Sequence, residues 1–447
     1  MTLLAINWSE AGVKAGQFIL SFSIIVVLHE LGHFLPAKWF KCRVEKFYLF
    51  FNPYFSLFKK KIGETEYGLG WIPFGGYVKI SGMIDESMDK EQLNQPPKSY
   101  EFRSKPAWQR LIIMLGGVTV NLFLGFFIYV MMLWYWGETY VPTSKLTYGI
   151  ATDSLGRSIG LRDGDKITGL DGTYKENFLQ IPAYIVIHRV RSIQVEREGR
   201  KIDLTVPEDF ASKALHLKDI YFILPRRPFT AIDTVIKGKA ADKAGLVKND
   251  RVLAINDTAV TPYYNDFIAQ IPKYKNSTVS MKILRGTDTL TKQIHVPNEG
   301  VIGVGAAGTL PRDTVSYSFL ASIPAGLRFS LNTLESYWLQ IKLIFSKGVK
   351  ASESVGSVIS ISKMFPNQWD WQGFWELTAF FSLVLALMNV LPIPALDGGH
   401  AMFTIYEMIS GRKPSDRFIE YSQMAGMVLM FGLMAYALGL DIFRLFK

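Results

Sequence analysis

Cysteine is all but missing from this sequence. Cys42 is the single one among 447 residues, so no disulfide can form within the chain, and it says little about compartment. Charge is scarce too: Asp, Glu, Lys and Arg make up 20% of residues, against 49% hydrophobic and 14% aromatic. That balance suits apolar surface facing lipid, provided the apolar residues are clustered. The first residues carry neither a Lys/Arg-rich start nor a small-residue cleavage site. The first apolar run is therefore expected to be retained, not removed as a signal peptide. At this length two to four structural units are expected. The net charge of +10 admits two readings, nucleic acid or the cytoplasmic loops of a membrane protein.

The apolar residues are clustered, and four segments could cross a bilayer. The first covers about 16–40, with an apolar core from Phe18 to Leu28 that gives way to His29, Glu30 and His33. The second, 111–136, has no charged residue and ends in Trp134-Tyr135-Trp136, as at a membrane interface. The third, about 374–393, contains Asn389 and Pro392. The fourth, about 424–440, is short but charge-free; a buried core helix is its alternative. Lys38, Lys41, Arg43, Lys46, Lys59, Lys60, Lys61, Lys105 and Arg110 lie between the first two segments, and Arg412, Lys413 and Arg417 between the last two. The positive-inside rule puts both loops in the cytoplasm. Both termini and the stretch 137–364 are then expected outside it, with lipid and not nucleic acid as the surrounding partner.

That stretch repeats itself. Gly160-Leu161-Arg162-Asp163-Gly164-Asp165-Lys166-Ile167 is followed by Leu170-Asp171-Gly172, and Gly245-Leu246-Val247-Lys248-Asn249-Asp250-Arg251-Val252 is followed by Ile255-Asn256-Asp257 at the same offset. Two copies beginning 85 residues apart suit two small domains better than a solenoid. The Gly-Leu-x-x-Gly-Asp turn before a strand resembles bacterial PDZ domains. Beyond the second copy, 316–347 reads as a helix with Arg328, Asn332, Glu335 and Lys342 on one face. It is expected to be amphipathic, lying against the membrane or the repeated domains, since a fifth span would place charges in lipid.

The chemistry begins with His29-Glu30-Leu31-Gly32-His33, an HExxH pattern. On a helix, residues four apart share a face, so both imidazoles can hold one zinc ion with Glu30 beside it as general base. In a membrane span two histidines and a glutamate are costly unless paired or metal-bound, which argues against chance. A catalytic zinc usually has three protein ligands and an open position. The third is sought in Asn389-Val390-Leu391-Pro392-Ile393-Pro394-Ala395-Leu396-Asp397-Gly398-Gly399-His400, where two prolines and a glycine pair break the helix end and let Asp397 reach the first span. His400 is a rival ligand, ranked below Asp397.

HExxH in a first span, paired with Asn389-x-x-Pro392-x-Pro394-x-Leu396-Asp397-Gly398 in a penultimate one, resembles the site-2 protease family of intramembrane zinc metalloproteases. The resemblance covers nearly the whole chain. It implies Zn2+ as cofactor, His29, His33 and Asp397 as ligands, Glu30 as base, and Asn389 in contact with substrate backbone. Gly117-Val118-Thr119-Val120-Asn121 corresponds to the family's small-residue motif, with Val118 where relatives usually have proline. Asn121 is open to two readings, oxyanion stabiliser or helix packing. Between spans one and two the family has a membrane-re-entrant β-sheet that pairs with unfolded substrate. Residues 44–58 and 65–80 read as two such strands, with Lys59-Lys60-Lys61 and Gly63 near the turn and Pro73-Phe74-Gly75-Gly76-Tyr77-Val78 as the family's motif. Phe50-Phe51-Asn52 departs from the Gly-Phe-Gly common in relatives.

The expected fold is thus a polytopic α-helical membrane protein of about four spans, with a re-entrant sheet and two extracytoplasmic PDZ-like domains. Its expected divisions are 1–43, 44–106, 107–137, 138–225, 226–310, 311–372 and 373–447. The expected activity is hydrolysis of single-pass membrane proteins in a bacterial inner membrane, after an upstream site-1 protease has trimmed them. An inert PDZ scaffold would lack a ligand or base, and a metal transporter would show several polar spans.

Overall fold

The computed structural model describes residues 8–83, 96–217, 221–307, 310–344 and 357–445. The last residues of the expected amphipathic helix, 345–347, and both chain ends lie outside them. The chain divides into two compact units: Met1–Gly137 with Ser316–Lys342 and Ser354–Lys447, and Glu138–Val315 with Leu343–Glu353.

The long helices of the first unit are α1 (Trp8–Trp39), α2 (Ala107–Tyr135), α3 (Phe319–Ile344, of which the residues up to Lys342 belong to this unit), α4 (Trp371–Val390), α5 (Asp397–Ser410) and α6 (Asp416–Leu445). Four segments of these helices are long and apolar enough to cross a membrane: Ser9–Trp39, Ala107–Tyr135, Trp371–Val390 and Arg417–Phe443. Glycine sets how closely two of them pack. A Cβ on Gly32 would fall 2.4 Å from the Gly116 carbonyl oxygen, and one on Gly116 would fall 2.0 Å from that of Gly32. The backbones of α1 and α2 therefore touch, as small residues allow between apolar helices. Hydroxyl groups tie α4 into the same bundle: Thr378 donates to Ser21 Oγ at 2.9 Å, and Ser382 to the Asn121 carbonyl at 2.7 Å. Helix α3 packs its Phe329 ring on Tyr129, with centroids 4.8 Å apart, and leaves Arg328, Asn332, Glu335 and Lys342 exposed.

After α1 the chain forms a four-stranded sheet of β1 (Val44–Phe51), β2 (Phe58–Ile62), β3 (Thr65–Leu69) and β4 (Ile72–Ile80), in the order β2-β3-β1-β4. Two longer strands were expected here. Pro53 offers no N–H and Tyr54 takes φ 71°, so the chain leaves the sheet after β1. Gly70 interrupts the second run, lying so close to the Phe50 and Phe51 carbonyls that a Cβ would clash. Lys59–Lys61 consequently sit inside β2, not in its turn, which is made by Gly63 at φ 61°. Strand β1 is paired on both sides, antiparallel to β4 and parallel to β3; the free edges belong to β2 and β4. Phe50 adopts φ 68° at a register shift between Leu49 and Phe51, a conformation glycine takes without strain.

The second unit carries the sequence repeat into three dimensions. Its ends are joined by β5 (Glu138–Tyr140) and β17 (Asp313–Val315). Between them, β6 (Ile150–Thr152), β7 (Lys166–Leu170), β8 (Ser192–Arg197), β9 (Arg200–Thr205) and β10 (Ile223–Pro225) surround one buried core. A second core lies among β11 (Ile232–Val235), β12 (Arg251–Ile255), β13 (Thr258–Ala259), β14 (Ser277–Arg285), β15 (Asp288–Val296) and β16 (Val304–Ala306). In each lobe the repeated Asp is fully buried and held the same way. Asp165 accepts two bonds from Arg197 at 2.7 and 2.8 Å and one from the Arg162 N–H; Arg197 reaches on to the Gly160 carbonyl. Asp250 accepts two bonds from Arg285 at 2.8 Å and one from the Val247 N–H, with Gly245 as the carbonyl partner. The repeated turn thus ties each helix–strand corner to a distant hairpin. The expected border between 225 and 226 falls between β10 and β11.

Burial alone would raise the Asp250 carboxyl pKa, but the Arg285 guanidinium and Val247 N–H hold it below the ordinary carboxylate value. This contribution is present above the unfolded pKa, about 4, and is lost as pH falls through the depressed value. Asp250→Ala takes the carboxylate from Arg285, which keeps only the Gly245 carbonyl, leaves the Val247 N–H unpaired, and should destabilise the second lobe by about 3 kcal/mol. Hydrogen exchange of the full-length protein checks this: β12, β14 and β15 should lose protection while β7–β9 keep theirs.

Candidate metal and active site

Helix α1 presents His29 and His33 one turn apart, both buried, with their ring nitrogens Nε2 3.3 Å from each other. The third group comes from far along the chain. Pro392 and Pro394 end the helical run after α4, and the chain crosses Leu391–Leu396 before α5 begins at Asp397. That crossing is tight: Ala395 takes φ 75°, and Cβ atoms on Gly398 or Gly399 would strike the carbonyls of Leu391 and Ile393. The glycine pair is therefore a steric requirement of the turn. It leaves Asp397 in the first turn of α5, where the helix N-terminus favours a carboxylate.

Asp397 Oδ2 lies 3.3 Å from His29 Nε2 and 3.4 Å from His33 Nε2. The three atoms form a nearly equilateral triangle. A tetrahedral zinc with bonds of about 2.0–2.1 Å needs ligand atoms about 3.3–3.4 Å apart, so the triangle has the size of one tetrahedral face. Asp397 Oδ2 is buried and makes no hydrogen bond. An orphaned carboxylate oxygen facing two imidazole nitrogens is the donor set a zinc ion fits.

Each imidazole is fixed from behind. His33 Nδ1 is 2.8 Å from the Ile113 carbonyl, which can only accept, so Nδ1 carries the proton and Nε2 is free for a metal. Asn121 lies against His29 Nδ1 at 3.1 Å, fully buried, with its side-chain oxygen otherwise unpaired. Amide oxygen and nitrogen are interchangeable by a flip. Turning the amide lets the oxygen accept the His29 Nδ1 proton and leaves Nε2 free there too. Gly117 completes the cradle, because a Cβ there would fall 2.4 Å from His33 Nε2 and 2.6 Å from His29 Cε1.

The triangle opens on a cavity of about 490 Å³ lined by Glu30, Asn389, His400 and residues 76–80 of β4. Asn389 Nδ2 is 3.4 Å from His29 Nε2. His400 lies one turn beyond Asp397, but its ring nitrogens face Gln423 Nε2 at 2.6 and 3.1 Å, outside the triangle. Ile113 and Gln423 carry no signal in the sequence, whereas Gly117 is legible there as part of the small-residue motif, though not as the surface that lies against both imidazoles.

The sequence pattern of peptidase family M50 matches residues 17–433. The chain is 28% identical to the regulator of sigma E protease of Haemophilus influenzae, with 96% of this chain and 98% of that protein aligned. It is 26% identical to a predicted zinc metalloprotease of Treponema pallidum, over 91% and 94% of the two chains. A similar protein from Campylobacter jejuni, also a predicted zinc metalloprotease, is 28% identical over 96% of this chain and 92% of its own length.

Gly117→Ala should push the imidazoles apart and lower zinc affinity roughly 10- to 100-fold. Gly12→Ala, on the same bundle with nothing within 4 Å of the added Cβ, should leave it unchanged. Zinc content measured against a competing chelator distinguishes the two.

Proposed function

This chain belongs to peptidase family M50, the site-2 proteases, and on that footing we propose that it hydrolyses peptide bonds at membrane depth in single-pass membrane proteins. The observation that carries the reading is the His29–His33–Asp397 triangle beside Glu30, at the end of a cavity reached from an unpaired strand edge. His29, His33 and Asp397 hold the zinc that metalloproteases of this family use. The ion, when bound, makes water nucleophilic near neutral pH and draws charge from the scissile carbonyl.

The rest is the work of the chain's own side chains. Glu30 takes the water proton and passes it to the leaving amine. Ile113 and Asn121 keep the two imidazoles in the ligating tautomer. Asn389 donates to the extended backbone of the substrate. A helical peptide bond is shielded by its own hydrogen bonds, so the substrate must unwind, and the free edge of β4 offers a partner for the extended strand. Strand β1, interior to the sheet, does not offer one.

The two repeat lobes are read as PDZ-like domains outside the cytoplasm of a bacterial inner membrane, together with both termini. They restrict access by folded external domains, so that substrates trimmed by an upstream site-1 protease are preferred. One relative is named for regulation of sigma E, which makes anti-sigma-factor-type membrane proteins the substrate class to try first.

Glu30→Gln should keep the zinc and lose roughly 10²- to 10⁴-fold in cleavage rate. Metal analysis beside a cleavage assay of a purified single-pass substrate checks this. Cleavage near the wild-type rate would exclude Glu30 as the base.

A further inference from the structure

Strand β2 has no place in the chemistry above, yet it is the most exposed strand of its sheet. All five of its residues, Phe58-Lys59-Lys60-Lys61-Ile62, are exposed. None of the three lysines joins an ion pair among the described residues, and the nearest cross-strand carboxylate, Glu66, accepts the Tyr48 hydroxyl at 2.7 Å. At the Phe58 end the loop adds an apolar tip. Tyr54 is 102% exposed, and Phe55 and Trp71 stack with ring centroids 5.6 Å apart. The Trp71 Nε1–H donates to the Pro53 carbonyl, which fixes the tip's shape.

Contacts with α1 give this surface a depth. Phe34 meets Phe47 and Tyr67 at ring distances of 5.5 and 6.1 Å, and Tyr67 is the register partner of Lys60. Lys60 is therefore level with Phe34, five residues or about 8 Å before the end of α1. Gly76 lies against Val26 and Glu30. Its row runs through Leu49 and Leu69 to Phe58, so Phe58, where the apolar tip begins, stands level with Val26–Glu30, about 14–20 Å in from that same end. Aromatic residues at acyl depth and lysines one step outward form the order of a cytoplasmic leaflet read from inside to surface.

We propose that β2 and its tip are a docking surface for anionic phospholipid, with Lys59, Lys60 and Lys61 on the headgroup phosphates and Tyr54, Phe55 and Trp71 among the acyl chains. The contact would hold the sheet, and with it the β4 edge, at the level of the zinc site. The proposal rests on α1 crossing the bilayer, not on the hydrolytic reading, and its test uses no cleavage readout.

The test places a bimane dye on Tyr54→Cys in the full-length enzyme, Cys42 being buried and so slow to label. The labelled enzyme is put into nanodiscs of mixed phosphatidylcholine and phosphatidylglycerol, with brominated chains on one lipid or the other. Brominated phosphatidylglycerol should quench beyond its mole fraction, corresponding to roughly tenfold enrichment at the tip. K59Q/K60Q/K61Q should bring quenching down to the mole fraction, with zinc content unchanged as the check on folding. High salt should do the same to the unsubstituted surface, which keeps the test decisive if the triple variant misfolds. Equal quenching by both lipids, quenching by aqueous iodide alone, or enrichment that survives salt and the triple variant would each overturn the proposal.

Discussion

The backbone contact between Gly32 and Gly116 is the constraint on which the site depends. It brings α2 close enough for Ile113 and Asn121 to reach His33 and His29, and for Gly117 to lie flat against both rings. A side chain at either glycine would separate the helices, and the imidazoles would lose the groups that choose their tautomer. The same closeness explains why the site survives in an apolar bundle. Both imidazoles have a partner fixed on α2, and Asp397 Oδ2, which is buried without a hydrogen bond, faces the place a cation would fill.

The second half of the site obeys a different physical rule. Asp397 reaches α1 because the chain between α4 and α5 cannot be helical. Two prolines remove donors, and Ala395 is forced to positive φ. Gly398, Gly399 and Gly426 yield the space for that crossing, the last lying so near the Pro394 carbonyl that no Cβ would fit.

Much of this is legible in the sequence, for identifiable reasons. Apolar runs at Phe18–Leu28 and through Gly117 mark helices because a helix satisfies the backbone groups of a single long apolar segment within that segment. HExxH fixes its own geometry, since two residues four apart share a helix face. The repeat at Gly160 and Gly245 marks a corner that each lobe needs, a buried Asp receiving a distant Arg. What stays hidden is pairing over distance. Alternation marks strands in 44–80 but does not order them, so it does not disclose that β3 and β4 cover both sides of β1. Nor does a lone asparagine such as Asn121 disclose whether it faces the cavity or, as the fold places it, the back of His29.

In the proposed reading one zinc ion joins α1 to α5 through His29, His33 and Asp397. X-ray absorption at the zinc edge of the purified, full-length protein checks this. The spectrum should show one zinc per chain, with two imidazole nitrogens and the remaining near neighbours oxygen, at about 2.0–2.1 Å, and a loss of one light scatterer in Asp397→Ala. A third imidazole, with the spectrum altered by His400→Ala and untouched by Asp397→Ala, would contradict it.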